Sequence, residues 1–128
     1  AFDTGFCCYY RGWHTLRPED LGILWEHFVL NEAMAAAQHR RFFYWRDKRG
    51  HEVDLVLAPR GGHPLAVECK WSADDFEPAG MAAFRKHYSK GENVVIAHDV
   101  DAPYLRTYAD VKVRFESLPA LVNRIHAL

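Results

Sequence analysis

The stretch AVECKWS, residues 66–72, decides how the chain is interpreted, because it sets charges inside an apolar run. Its small and apolar residues suit a buried strand, whereas Glu68 and Lys70 do not. Charged side chains are seldom buried unless they are paired or bound to a metal. Side chains alternate along a strand, so Glu68 and Lys70 share one face, with α-carbons about 6.6 Å apart. Either an ion pair or a bound cation has to explain that face.

The composition indicates a folded protein without a dominant charge. Hydrophobic residues make up 49% of the 128 residues and aromatic residues 14%, which excludes a disordered chain. The 16 Lys and Arg nearly cancel the 17 Asp and Glu, so a nucleic-acid surface has to be local. Three cysteines are too few for a disulfide framework, and no signal peptide or apolar run of membrane-spanning length is present. We therefore expect a cytoplasmic protein without a membrane segment.

Periodicity predicts one α/β domain over residues 1–128, with the order α-β-β-β-α-β followed by a C-terminal strand and helix. The chain begins with Ala1 instead of an initiator Met, so we expect it to be the tail of a longer protein. The predicted elements are a helix over 21–38, strands over 41–47, 51–58 and 65–71, a helix over 77–88, a strand over 93–98, a strand near 111–115 and a final helix after the cap residue Ser117.

A second acid falls beside Glu68 if the second and third strands are neighbours. Strict alternation divides the second strand into two faces, namely Glu52, Asp54 and Val56 against His51, Val53, Leu55 and Leu57. The short turn over 59–64 favours pairing of the two strands, which brings Asp54 beside Glu68. Two adjacent carboxylates repel and resist ionisation, and Mg²⁺ or Mn²⁺ would remove that conflict. Lys70 would then face a scissile phosphate or orient the attacking water.

The first helix contributes Glu26, whose neighbours one turn away are Gly22, Ile23, Val29 and Leu30. Because these neighbours are apolar, Glu26 is predicted to face packed residues or a site instead of open water. An unpaired buried glutamate is costly. Joining the same cation, directly or through water, would relieve the cost.

This set of residues resembles the PD-(D/E)XK nuclease superfamily, which has the restriction-endonuclease-like fold. More narrowly, four segments resemble the C-terminal domain, of unknown function, of a prokaryotic family with an N-terminal AAA+ ATPase module. The segments are LGILWEHFVLNE (21–32), YWRDKRGHEVDLVL (44–57), LAVECKWS (65–72) and AFRKHY (83–88). The resemblance runs from about Asp3 to Val113, nearly the whole chain.

The resemblance implies a mixed central sheet flanked by helices and a metal-dependent phosphodiesterase acting on DNA. It implies Asp54, Glu68 and the Cys69 carbonyl as ligands of Mg²⁺ or Mn²⁺, Lys70 as a catalytic residue and Glu26 as an accessory acid. It also implies an AAA+ ATPase module as the partner in the full-length protein. The sequence departs from the superfamily pattern at Val53, which stands where the proline of "PD" would be.

Two other classes of function stay open. One is a catalytically inactive nuclease-fold domain that binds nucleic acid or a partner for the attached ATPase, and the other is a structural homo-oligomerisation module. The latter leaves the charged residues of the second and third strands unexplained. A basic stretch surrounds the aromatic run 42–45 and suits phosphate contact and base stacking, or else a hairpin with core aromatics and solvated cations. Its cations are Arg40, Arg41, Arg46, Lys48 and Arg49.

Overall fold

The computed structural model describes residues 17–38 and 41–128, which form a six-stranded mixed sheet flanked by helices. The elements are α1 (Pro18–Ala37), β1 (Arg41–Arg46), β2 (Glu52–Ala58), β3 (Leu65–Lys70), a 3₁₀ turn (Ala73–Asp75), α2 (Ala79–His87), β4 (Asn93–Ala97), β5 (Tyr104–Tyr108), β6 (Val111–Glu116) and α3 (Leu118–His126). The predicted α/β class and the order α-β-β-β-α-β are confirmed. Asp3, Cys7, Cys8 and Arg40 lie outside the described residues.

The sheet has the strand order β1-β2-β3-β4-β6-β5. β2 is antiparallel to β1 and β3, whereas β4 is parallel to β3 and β6. The start of β2 at Glu52 therefore meets the ends of β3 at Lys70 and β4 at Ala97. We call this side of the sheet the carboxyl edge.

The helices cover both faces of the sheet. α1 and α3 pack on one face, where Val29, Leu121 and Ile125 contact a cluster that includes Leu55 and Val67. α2 packs on the other face through Met81 and Phe84, which join Val53, Val56, Ala66, Val95 and Phe115. Within the described residues, no helix combines the length and the apolarity needed to cross a membrane.

β2 departs from the strict alternation that the sequence predicts. Val53 packs with Val56 on the α2 face, whereas Leu55 and Leu57 pack on the α1 face. The prediction that Val53 shares a face with Leu55 is therefore wrong. The cause is a bulge: the register with β1 shifts between Phe43 and Trp45. An extra residue on one strand rotates the side chains that follow it.

The sequence pattern predicts no strand where β5 lies. Among the described strands β5 pairs with β6 alone, at the end of the sheet, and its three central residues are exposed. Tyr108 pairs with Val111, which leaves the two-residue turn Ala109 and Asp110, with Ala109 at a φ of 55°. Such turns usually carry Asn-Gly or Asp-Gly. Because Ala-Asp lacks that signal, this hairpin is not recognisable from local sequence.

Candidate functional site at the carboxyl edge

Glu68 is a buried acid on the central strand β3, near the carboxyl edge, with 7% of its surface exposed. It pairs in register with Val95 of β4 and points toward the start of α2. A β-carbon on Gly80 would lie 3.1 Å from Glu68 Oε1 and 2.3 Å from the Glu52 carbonyl oxygen, so only glycine permits this approach. Within 17–38 and 41–128, no donor hydrogen-bonds to Glu68.

Asp54 lies at the bulge of β2, one step beyond the last residue pair between β2 and β3. Its Oδ2 accepts a hydrogen bond of 2.8 Å from the backbone N–H of Cys69. The carboxylate thus takes the place of a backbone carbonyl in the ladder and is held against β3. Its other oxygen, Oδ1, receives no hydrogen bond from the described residues.

The acids at the carboxyl edge raise one another's pKa. Burial raises the pKa of Glu68, and the charge of Asp54 adds to the effect, to a value of about 8. Burial is also the main cause that raises the pKa of Asp54 and of Glu26, and the charge of Asp54 raises that of Glu26 further. The positive charge of Lys70 lowers the pKa of all three acids and partly offsets these effects. The structure therefore brings Glu26, Asp54, Glu68 and Lys70 together.

Lys70 is half-buried at the end of β3 and forms no ion pair with the residues that the structure describes. Among the described residues, no carboxylate oxygen lies within 4.0 Å of its ammonium. The ion pair between Glu68 and Lys70 that the sequence allows is thus not formed. The ammonium contributes positive charge to the edge without being held by one acid.

Glu52 is a fourth acid at this edge, and the sequence pattern predicts no role for it. It accepts a hydrogen bond of 2.5 Å from the Tyr44 hydroxyl, and this bond raises the pKa of Tyr44. Its charge also raises the pKa of Asp54 and of Glu68. The signal that could have identified Glu52 is its position two residues before Asp54, on the same predicted face.

The oxygen donors at the carboxyl edge would supply only part of the coordination shell of a hard cation. In the parts of the chain that the structure describes, no three His, Cys, Asp or Glu side chains are arranged to hold a metal. Mg²⁺ commonly uses one or two carboxylates and completes its octahedron with waters and substrate phosphates. The carboxylates of Asp54 and Glu68 and the Cys69 carbonyl are oxygen donors of this kind, and Glu26 would join them directly or through water. The Cys69 thiol is in the core, where burial raises its pKa, so it is not part of the set.

The turn between β1 and β2 also lies at the carboxyl edge and carries exposed cations, Arg46, Lys48 and Arg49. Asp47 shapes the turn by accepting hydrogen bonds from the backbone N–H groups of Arg49 and His51, both at 2.9 Å. In the aromatic run before it, Phe42 and Trp45 pack against the core, whereas Phe43 and Tyr44 are 42% and 53% exposed. The stretch thus combines core aromatics with exposed rings and cations.

Comparison with known proteins extends these observations. Among solved structures, the fold is similar to a chain in the refined half-complex from a tetradecameric assembly of Thermococcus gammatolerans McrB AAA+ hexamers with bound McrC, with a TM-score of 0.53 and 11% identity. The match covers 81% of this chain and 32% of that chain, and at this identity the likeness concerns the fold alone. No curated protein matches. The family model described as Domain of unknown function (DUF4143) matches residues 21–114, and the chain therefore belongs to this family.

Proposed function

We propose that the chain is a nuclease-like domain of the PD-(D/E)XK superfamily that hydrolyses phosphodiester bonds in DNA with Mg²⁺ or Mn²⁺. The observation that carries the proposal is the convergence of Asp54, Glu68 and Lys70 at one edge, where neither Glu68 nor Lys70 has a partner among the described residues. Burying a charge without a partner costs stability. Titratable groups that carry such a cost concentrate at functional sites.

Each residue has a distinct role in the proposed reaction. Asp54, Glu68 and the Cys69 carbonyl would hold the cation, which would supply Lewis-acid stabilisation of the phosphoryl oxygens and activation of water. Lys70 stabilises the negative charge that grows on the phosphate as the bond breaks. Glu26 orients water at the rim of the site. The cations of the β1–β2 turn contact the DNA backbone beside the scissile phosphate.

The test is whether a divalent cation binds and is lost with Asp54→Ala. Isothermal titration with Mn²⁺ and nicking of supercoiled plasmid are measured on the same preparations. We expect the wild-type chain to bind and nick, and Asp54→Ala to do neither while its circular dichroism is unchanged. Asp110→Ala is the matched control, because Asp110 is exposed in the turn before β6, at the opposite edge. Equal Mn²⁺ affinity in the two variants would exclude Asp54 as a ligand.

We also infer a cytoplasmic AAA+ ATPase partner, on the N-terminal side of the same polypeptide, and assembly into a homo-oligomer. The similar solved structure supports this inference, since it comes from an assembly of AAA+ hexamers. A different observation favours a second function, a catalytically inactive nuclease-fold module that binds DNA or a partner for the ATPase: among the described residues, no three His, Cys, Asp or Glu side chains are arranged to hold a metal. If neither the chain nor its ATPase-linked form cleaves single- or double-stranded DNA with Mg²⁺ or Mn²⁺, the second function replaces the first.

A further inference from the structure

Four aromatic rings form a second cluster at the carboxyl edge, which we call the aromatic platform. Trp71 follows β3 and His98 follows β4, and their rings stack with centroids 3.6 Å apart and planes inclined by 10°. Trp25 of α1 meets these rings edge-on, at 6.1 Å from Trp71 and 6.5 Å from His98. Phe28 lies one turn further along α1, with its ring 6.2 Å from that of Trp25.

Hydrogen bonds hold the platform in place. The indole N–H of Trp25 donates to the Ile96 carbonyl at 3.1 Å, which fixes α1 to β4. The backbone N–H of His98 donates to the Trp71 carbonyl at 3.2 Å, and His98 Nδ1 contacts the same oxygen. Despite this fixation, His98 and Phe28 are exposed. The platform is thus preformed and presents flat ring surface to solvent, a role that core packing alone does not require.

Two pairs of consecutive residues link the platform to the charged site, by which we mean Glu26, Asp54, Glu68 and Lys70. On α1, Trp25 belongs to the platform and Glu26 to the acids. On β3, Lys70 belongs to the charged site and Trp71 to the platform. Consecutive α-carbons are about 3.8 Å apart, and consecutive side chains of a strand point to opposite faces, so Lys70 and Trp71 lie on either side of the carboxyl edge. A ligand that crosses this edge with a phosphate at the charged site meets the aromatic surface with the group next to that phosphate.

We propose that the aromatic platform stacks an unpaired nucleobase of the strand whose phosphate is held at the charged site. The substrate class is therefore DNA with an unpaired stretch, such as single strands or frayed ends. This inference rests on the proposed function, because it assigns the phosphate to the same site. Stacking on aromatic side chains is open to every base but needs a free base face, which a blunt duplex does not offer beside its backbone.

Binding is measured by fluorescence anisotropy with Ca²⁺, which also takes oxygen ligands, and a denaturing gel of the same samples checks that the probe stays intact. The probes are a labelled oligothymidylate, an abasic strand of equal length and a blunt duplex. We expect His98→Ala to bind the oligothymidylate at least about five-fold more weakly, the lower end of base stacking. Binding of the abasic strand and the duplex should not change. His98→Phe keeps a flat ring and should restore affinity. Tyr88→Ala, an exposed aromatic at the far end of α2, should leave it unaltered.

Two results would overturn the platform: equal affinity of His98→Ala and wild type for the oligothymidylate, or wild-type preference for the abasic strand. Failure of the proposed function has a different signature. A wild-type chain that discriminates the oligothymidylate from the abasic strand but never nicks DNA would reject the nuclease and retain the platform. Metal-dependent nicking without any discrimination between the strands would reject the platform alone.

Discussion

Two buried glutamates flank β4, and among the described residues one of them has arginine partners and the other has none. Glu68 of β3 pairs in register with Val95, and Glu116 of β6 with Ile96, with 7% and 2% of their surfaces exposed. Glu116 Oε1 accepts a hydrogen bond of 2.7 Å from Arg114 and another from Arg124, although its Oε2 has no hydrogen-bond partner among the described residues. No described donor reaches Glu68.

The difference separates a buried carboxylate that is ion-paired from one that is not. Arg124 joins Glu116 to Glu92, with 2.6 Å to Glu92 Oε2, so the charged network fixes α3 to the sheet. At Glu68, by contrast, burial and nearby acids oppose ionisation, Lys70 offsets them only in part, and no described cation forms an ion pair with the carboxylate. Burial alone therefore does not identify a functional acid. Burial without a counter-ion at the open end of a sheet is the informative combination.

The largest expected effect concerns Lys70, the cation that stands near Glu68 without pairing with it. We expect Lys70→Ala to reduce single-turnover nicking about 10²–10³-fold, the usual consequence of losing one transition-state donor. DNA affinity should fall by about 1 kcal/mol, the scale of a single contact. Lys112→Ala, an exposed lysine of β6 near the opposite edge, should change neither. Equal losses of rate and affinity in Lys70→Ala would favour the binding module over the nuclease.

The second largest effect is expected from a matched pair of substitutions at the two glutamates, Glu68 and Glu116. Glu116→Gln leaves two arginines without their shared carboxylate, and we expect a loss of roughly 2–3 kcal/mol in the free energy of unfolding. This is below the usual cost of breaking a buried pair, because Arg124 retains Glu92. Glu68→Gln removes no ion pair and should not destabilise the metal-free chain. Urea unfolding at neutral pH in EDTA measures both. Destabilisation of similar size in the two variants would remove the distinction between the sites.

Local sequence was sufficient for much of this architecture. Long apolar runs predict α1, β2, β3 and β4 within a few residues, and the spacing of charges singles out Glu26, Asp54, Glu68 and Lys70. Pairing between distant residues accounts for what local sequence does not reveal. The bulge beside Asp54 arises from the register with β1, and β5 is held at the sheet edge by β6 alone.

The aromatic platform and the charged network are beyond local sequence for the same reason. Trp71 and His98 are 27 residues apart, and only the parallel pairing of β3 with β4 stacks their rings. Arg124 and Glu92 are 32 residues apart and meet because α3 packs beside the start of β4. Glu52 differs from these features, because its position two residues before Asp54 can be read from the sequence. Its charge matters only because the other acids converge on the same edge.

The pH dependence of stability should also differ between the two glutamates. The pKa of Glu68 is raised from its ordinary value of 4.5 to about 8 in the folded chain. Between these values the unfolded chain has released the proton that the folded chain retains, so rising pH favours unfolding. We expect the metal-free chain to lose roughly 2–3 kcal/mol of stability between about pH 5 and pH 7 through this group. The loss should be absent in Glu68→Gln and present in Glu116→Gln. An identical pH profile for wild type and Glu68→Gln would show that Glu68 ionises normally.

The smallest effect is expected for Glu26, which reaches the site from α1. Glu26→Gln keeps the shape of the side chain and removes its charge, so the fold should be unchanged. Because Glu26 orients water in the proposed function, we expect Mn²⁺ affinity to fall by about three- to ten-fold, or roughly 1 kcal/mol. Asp54→Ala, by comparison, should abolish binding. Glu32→Gln is the matched control, as Glu32 is exposed on the same helix. If titration gives Glu26→Gln and Glu32→Gln the same Mn²⁺ affinity, Glu26 belongs to the packing of α1 and not to the site.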